Sequence, residues 1–424
     1  MHISALRRAL GEGDSGGHHI ENVTGYGYRF VAPIRQHDAT EEVAVCPFPL
    51  QRLIARAGSI SAVTAWLPTK RLVTVVGPGG VGKTAVALAT ADHLRESYPD
   101  GVCLVDVTGA ADTYSIGHKL AAALGIPTDS HDVLSAVIEH LKPRRTLVVL
   151  DGCERVVDGA AILAEELLGG TPNLNIIATS LEPLHARGER VLRLDPLELP
   201  AASAALNAEQ ALKFPAIQLF VERVTAGLHD FELHDTDVAE VIEICRQLDG
   251  LPLAIELAAA RVELWGLNGL AAHLHDRPGL LKRSYRTAAP RHQSLRAMFD
   301  WSYETLTSVE KIALRRLALL ATPFDLASAT AAVVDHAINA TDVLDILASL
   351  TAKSLLLTHA SGERILYRPF ETSRAFALEK QECDQDRTEI RRHRASSKPL
   401  LENGGPLPEV AAPISARVAE RRDP

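Results

Sequence analysis

The stretch that most constrains this chain is VTVVGPGGVGKTAVALATADHL, from Val73 to Leu94. An apolar run enters a glycine cluster, and a Lys-Thr pair opens a run of helix formers. Gly77-Pro78-Gly79-Gly80-Val81-Gly82-Lys83-Thr84 matches GxxxxGK[ST] in full. Its glycines permit backbone turns that side chains would block, so successive N–H groups can point inward at an anion. A helix starting near Lys83 adds the positive end of its dipole. On this pattern Lys83 reaches the outer phosphates of a nucleotide and Thr84 ligates Mg²⁺. The competing explanation is a chance Gly-rich turn, which would lack the strand before the loop and the helix after it.

A Mg²⁺-nucleotide site also needs a carboxylate at the end of another strand. RTLVVLDGCE places Asp151 at the end of a Val- and Leu-rich strand, and Glu154 three residues on as a candidate for polarising a water. The plainer role for Asp151 is a cap for the next element. Asp106, at the end of VCLVDV, is the rival metal acid.

Around the loop, apolar strands alternate with helices. Strands are expected at 71–76, 102–107, 145–151, 173–179 and 190–194, with helices in KTAVALATADHLRESY, SIGHKLAAALG and HDVLSAVIEHL. That alternation implies an α/β fold with a parallel sheet covered on both faces. After LDPLELP the pattern becomes helical: FPAIQLFVERVTA, DVAEVIEICRQL and LPLAIELAAARVELW. From about 291 come SLRAMFDWSYETL, SVEKIALRRLALL, TDVLDILASLTAK and a hairpin, SLLLTHASGERILYRPF, which together suggest a winged helix. Residues 2–10 read as a short basic helix, and IENVTGYGYRFVAPI as two strands around a Gly-rich turn. The expected organisation is an N-terminal piece at 1–37, a linker at 38–50, a P-loop domain at 51–200, a helical lid at 201–285, a winged helix at 286–383 and an irregular tail at 384–424.

Composition narrows the classes. The net charge of −9 gives no global attraction to nucleic acid, so any such contact needs a local patch. Five well-separated cysteines, never spaced CxxC, fit neither a disulfide framework nor a zinc site and suit a reducing cytosol. No apolar run reaches the ~20 residues of a membrane span. LALLATPFDLASATAAVV is interrupted by Pro323 and Asp325, and the first residues lack a signal-peptide core. A cytoplasmic protein without a membrane partner is expected. No His pair shows metal-ligand spacing and no GxSxG occurs, which argues against zinc hydrolysis and Ser-His-Asp chemistry.

RLVTVVGPGGVGKTAVALA, RTLVVLDGCERV, NIIATSLEPL and LDGLPLAIELAAARV occur in that order, and RHQSLRAMFDWSYETL and YRPFETSRAFALEK follow. Over about residues 50–383 the chain resembles the STAND class of P-loop NTPases, of the NB-ARC or AP-ATPase type, as found in bacterial transcriptional regulators. The resemblance implies an AAA-like P-loop sheet, a helical lid and a winged helix closing on ADP or ATP. It implies a signal-transduction switch that ADP holds closed and that ATP opens to signal or self-associate. It assigns phosphates and metal to Lys83 and Thr84, the second metal-site acid to Asp151, and packing near adenine to Pro252. The Gly and Pro of DGLPLA also explain themselves as a helix stop and restart. Two positions depart from the family. An arginine that senses the terminal phosphate usually follows the Thr-Ser of ATSREPL, and here that position is Leu181. Upstream, LIGRE is replaced by LIARA: Arg56 remains, but Ala55 and Ala57 stand for Gly and Glu, so contacts on the adenine side are expected to differ.

The N-terminal HISALRRALG…IENVTGYGYRFVAPI resembles the end of an OmpR-type winged helix, the recognition helix and then the wing. The resemblance implies DNA contacts from Arg7, Arg8 and Arg29. Residues 1–37 hold four arginines against three acids, a weak phosphate-neutralising footprint. The sequence begins within the recognition helix, as expected if the reading frame extends further upstream. Three functions stay open at this point: a nucleotide-dependent regulatory switch, an ATPase enzyme acting on an unknown substrate, and a nucleotide-independent scaffold. Leu181 argues for hydrolysis slower than the ~10 s⁻¹ typical of enzymes, because a leucine cannot stabilise charge developing in the transition state.

Overall fold

A computed structural model describes residues 20–23, 27–30, 53–127, 132–201, 205–276, 294–320, 323–361 and 364–383. The chain divides into two units, Met1–Val43 and Ala44–Pro424. In the first, β1 (Ile20–Val23) and β2 (Gly27–Phe30) pair antiparallel, with Glu21 opposite Arg29. This is the expected hairpin. Arg7, Arg8, the linker and the tail lie outside the described residues.

The second unit opens with α1 (Ala57–Lys70), a helix the periodicity did not single out. It is followed by β3 (Leu72–Val76), the loop, and α2 (Lys83–His93). Next come β4 (Val102–Asp106), α3 (Thr113–Ala123), α4 (Val133–Leu141), β5 (Leu147–Asp151), α5 (Val157–Gly170), β6 (Asn175–Ser180) and β7 (Arg190–Arg193). The ends are locally encoded. The carboxylate of Asp112 caps α3 in a capping box with Ser115, and Asp132 caps α4. Gly125 takes φ +71° just beyond α3, where a side chain would be strained.

The five strands form one parallel sheet in the order β4-β5-β6-β3-β7. Every residue of β3, β5 and β6 is buried, as strands covered on both faces require. This is the expected α/β P-loop NTPase sheet. β3 lies inside it, between β6 and β7, so the loop leaves the carboxyl end of the sheet with a strand on either side. Crevices at such ends are where open α/β sheets bind ligands.

The chain then turns helical: α6 (Ala208–Ala211), α7 (Pro215–Gly227), α8 (Val238–Gln247), α9 (Pro252–Ala259) and α10 (Val262–Asp276). Pro215 and Pro252 each sit in a first turn, where the missing N–H has no intrahelical partner to lose. LPLAIELAAARVELW is two helices rather than the single one its pattern suggested. They part at Ala260-Arg261, and α10 bends at Gly266, which stands at φ 64° and ψ 176°. A continuous apolar pattern does not register such breaks.

The remaining elements are α11 (Leu295–Glu304), α12 (Ser308–Leu317), β8 (Phe324–Asp325), α13 (Leu326–Val333), α14 (Val343–Ala352), β9 (Leu356–Ser361), β10 (Arg364–Pro369) and α15 (Glu371–Cys383). α13 occupies the apolar run that Pro323 and Asp325 interrupt, and Asp325 is its N-cap. β9 and β10 form the expected hairpin, and β8 adds to β10, giving an antiparallel sheet ordered β8-β10-β9. One core runs from the sheet through the helical segment and takes in Leu295, Met298 and Phe299 of α11 and Phe376 of α15. A second core, around Leu314, Leu317, Leu347 and Tyr367, holds the last segment together. α11 thus belongs to the first core, although the segment it opens is otherwise built on the second.

Candidate nucleotide-binding site

The loop takes the backbone its glycines allow. Gly80 stands at φ +72° and Gly82 at φ +98°, and α2 starts at Lys83 with no side chain capping it. Its first N–H groups are therefore available to an anion. Lys83 arches over the loop and donates from Nζ to the carbonyls of Gly77 at 2.8 Å and Pro78 at 3.1 Å. Val81 is fully buried and pins the loop to the core. Gly79 and Gly80 lie against α11, where a Cβ on Gly79 would come within 2.9 Å of Met298 Cγ.

Thr84 and Asp151 lie 67 positions apart in sequence and meet here: Thr84 Oγ1 donates to Asp151 Oδ1 at 2.5 Å. Thr179 Oγ1, from β6, donates to the same oxygen at 2.7 Å and accepts from the N–H of Gly152 at 3.0 Å. Asp151 is 5% exposed. Asp106 takes no part in this cluster. Its exposed side chain accepts from the N–H and hydroxyl of Thr108, within its own loop. A hydroxyl and a carboxylate in contact beside a lysine and a phosphate cradle are the hard oxygen donors that suit Mg²⁺, which keeps most of its remaining positions for waters and substrate phosphates. Among the described residues no three His, Cys, Asp or Glu side chains cluster to hold a metal by themselves.

The loop opens into a cavity of about 720 Å³. That volume suits a nucleotide, since small-molecule sites run to roughly 300–1,000 Å³. Ile54, Leu219 of α7 and Leu253 and Pro252 of α9 give it apolar walls, and Met298 and Trp301 of α11 face it from the last segment. The DGLPL turn is tied to the loop, because the N–H of Leu253 donates to the carbonyl of Gly80 at 3.1 Å. Arg56, 8% exposed, donates to the carbonyls of Val81 at 3.0 Å and Asp195 at 2.9 Å. It lines the cavity while bracing the phosphate loop. Arg223, also on the wall, pairs with Glu256 at 3.1 Å and with Glu222. Leu181 lines the cavity, is 3% exposed, and has its carbonyl bonded to Ser354 Oγ at 3.0 Å. Glu154 is there too, its Oε1 accepting from Trp301 Nε1 at 2.7 Å.

The structure thus gathers Gly79, Gly80, Val81, Gly82, Lys83, Thr84, Arg56, Asp151, Glu154 and Pro252 around one cavity. Gly77 and Pro78 contribute the carbonyls under Lys83. Arg29 lies in the first unit, on β2. Sequence reasoning missed Thr179, whose signal was its place at the end of a buried strand beside Asp151. It also missed Met298 and Trp301, for which no local signal exists.

A sequence model described as an AAA domain matches residues 68–176. A Mycobacterium tuberculosis protein named as an HTH-type transcriptional regulator, Rv0890c, is 39% identical over 74% of this chain. The match spans only 34% of that relative, so this chain corresponds to about a third of its length. A second protein of the same organism, Rv0894, named as uncharacterized, is 32% identical over 78% of this chain and 81% of its own length. The solved Walker-type ATPase PABY2304 of Pyrococcus abyssi aligns over 80% of this chain and 99% of its own with 14% identity and a TM-score of 0.49. With a full phosphate-loop motif, Asp151 bonded to its Thr84, and 32% identity across most of both chains, this protein belongs to the family of Rv0894, AAA-domain P-loop ATPases whose relatives include proteins named as transcriptional regulators.

Proposed function

We propose that the chain is a nucleotide-dependent regulatory switch of the STAND type, holding ADP or ATP with Mg²⁺ and acting in transcriptional control. The observation that carries this reading is the make-up of the cavity wall. The sheet, the helical segment and α11 all face one cavity beside the phosphate loop. A ligand there touches all three, so its identity can bias how they pack, which is what a switch requires. In this reading α6–α10 form the helical lid, and the segment from α12 to β10 is a winged helix. Lys83 and the loop N–H groups hold phosphates, Thr84 and Asp151 hold Mg²⁺, and Ile54, Leu253 and Pro252 flank the base. Arg56 acts through the loop it braces. When bound, Mg²⁺ neutralises phosphate charge.

Slow turnover follows from the charges on the wall. Among the described residues its cations are Lys83, Arg56 and Arg223. Arg56 is bonded to backbone carbonyls and Arg223 to glutamates, while Leu181 occupies the position of the family's sensor arginine. The relatives' names support a link to transcription, and DNA contact is assigned to the N-terminal piece with Arg7, Arg8 and Arg29. The winged helix of the second unit has the opposite character. α14, in the recognition position, carries Asp345 and no Lys or Arg. It fits contacts within the protein better than contacts with phosphates.

The test compares hydrogen exchange and sedimentation of the full chain with ADP and with a slowly hydrolysed ATP analogue. The switch reading expects α11 to exchange faster with the analogue, with self-association alongside. Identical exchange in the two states, with both nucleotides bound, contradicts it.

A further inference from the structure

The contacts between Glu154-Arg155 and α11 are absorbed by neither nucleotide binding nor the sheet. Glu154 and Arg155 follow the metal-side acid in a single 3₁₀ turn, Cys153–Arg155, held after Gly152 at φ +85°. Cys153 is fully buried and anchors the turn, while Glu154 is half-buried and Arg155 exposed. Both are engaged by the same helix, almost 150 positions along the chain. Trp301 Nε1 donates to Glu154 Oε1 at 2.7 Å. The guanidinium of Arg155 lies 3.8 Å from the centroid of the Trp301 ring and bonds to Glu304, one turn along α11. Three residues before Trp301, Met298 lies against the loop, close enough that a Cβ on Gly80 would come within 2.7 Å of its sulfur. Glu154, Trp301 and Met298 all face the cavity that Asp151 and Lys83 also line.

We infer that Trp301 is a positioning residue that holds Glu154 away from hydrolysis while α11 is docked, and that undocking of α11 releases Glu154 as the general base. This rests on the switch reading above and names its regulation. The chemistry closes on the residues present. The released carboxylate takes a proton from a water, and the water oxygen bonds to the terminal phosphorus of ATP. The bond from that phosphorus to the bridging oxygen breaks, leaving ADP and inorganic phosphate. In the docked state the carboxylate oxygen already accepts a strong N–H donor. A carboxylate held this way is turned toward the indole, with that oxygen's lone pair engaged rather than offered to a water. Arg155 and Glu304 make the arrangement cooperative, since stacking and ion pair both need α11 in place. Separate contacts on the wall would not link hydrolysis to docking, whereas one helix touching both the phosphate loop and the acid does.

Trp301→Phe removes the indole N–H and keeps a ring for Arg155. Compared at saturating ATP, the full-length variant is expected to release phosphate about tenfold faster, less than the roughly 10²–10⁴-fold attributed to a fully engaged general base, since only one contact of the docked helix is lost. Glu304→Ala, which leaves Trp301 intact and weakens docking from the other side, should raise the rate in the same direction. The gain of Trp301→Phe should disappear in the double variant with Glu154→Gln, which a merely structural role for Trp301 would not produce. Unchanged phosphate release from both single variants that still bind ATP overturns the latch, and a gain that survives Glu154→Gln overturns the assignment to Glu154. Wild-type protein that takes up no ATP overturns instead the nucleotide reading beneath it.

Discussion

Gly80 shows how closely single residues are tied to the site. Its φ of +72° is disfavoured for any other residue, its carbonyl accepts from Leu253, and a Cβ would meet Met298 Sδ at 2.7 Å and Leu253 Cβ at 3.0 Å. Gly80→Ala is expected to destabilise the protein by about 1–3 kcal/mol, combining backbone strain with overpacking. Denaturant unfolding of the two proteins measures the difference. Leu181→Arg probes the opposite kind of position, one where a charge is absent from the cavity wall. It should raise phosphate release, by up to roughly 10²–10³-fold, the scale of removing one transition-state donor elsewhere. A variant that still binds ATP with an unchanged rate would show that terminal-phosphate sensing is not limited there. How far such residues could be read in advance depended on distance along the chain. The phosphate loop was fully legible, because its chemistry lies in eight consecutive residues. Asp151 was legible because a nucleotide loop demands an acid at the end of another strand, and exposure then separated it from Asp106. Thr179, Met298 and Trp301 reach the site through register and packing, which leave no local pattern.

At the level of elements, the DGLPL turn does more than stop one helix and start another. Asp249, in the left-handed region at φ +54°, points its carboxylate at the start of α15. It accepts from the N–H of Glu371 at 2.9 Å, the N–H of Thr372 at 2.8 Å and the Thr372 hydroxyl at 2.7 Å. It therefore caps a helix 122 positions away and joins the helical segment to the last element. Gly250 is equally constrained, since a Cβ there would come within 2.3 Å of the Leu197 carbonyl. The apolar pattern predicted the helices on either side but not this cap, because a capping acid normally precedes its own helix. Burial outweighs the three donors and pushes the Asp249 carboxyl up to about 6. With the folded value raised, protonation favours the folded state. That contribution is complete below the ordinary value of 3.8 and is lost as pH rises through about 6. Thermal unfolding between about pH 4 and about pH 7 should show Tm falling with rising pH, the fall ending just above the folded value of about 6. The Asp249-linked part of the slope should vanish in Asp249→Asn, and an identical slope in that variant would remove Asp249 as its source.

Across the whole second unit, one cavity gathers segments whose order along the chain was readable and whose meeting point was not. Alternation of strands and helices was enough for the parallel sheet, and the change to helix-only periodicity for the segment after it. α1, α5, α6 and α13 were missed, and α9–α10 were merged, where amphipathic spacing was weak or ran on through a break. That α11 would leave its own segment to join the first core could not be seen from its sequence, since the apolar face of a helix does not name its partner. The central claim is that this cavity holds a nucleotide whose identity the protein reports. The most direct measurement is to denature purified full-length protein and identify what it releases, alongside Lys83→Ala. The account predicts ADP or ATP at close to one per chain from the wild type and none from the variant. Wild-type protein that emerges empty and takes up no labelled nucleotide when supplied with Mg²⁺ would contradict it.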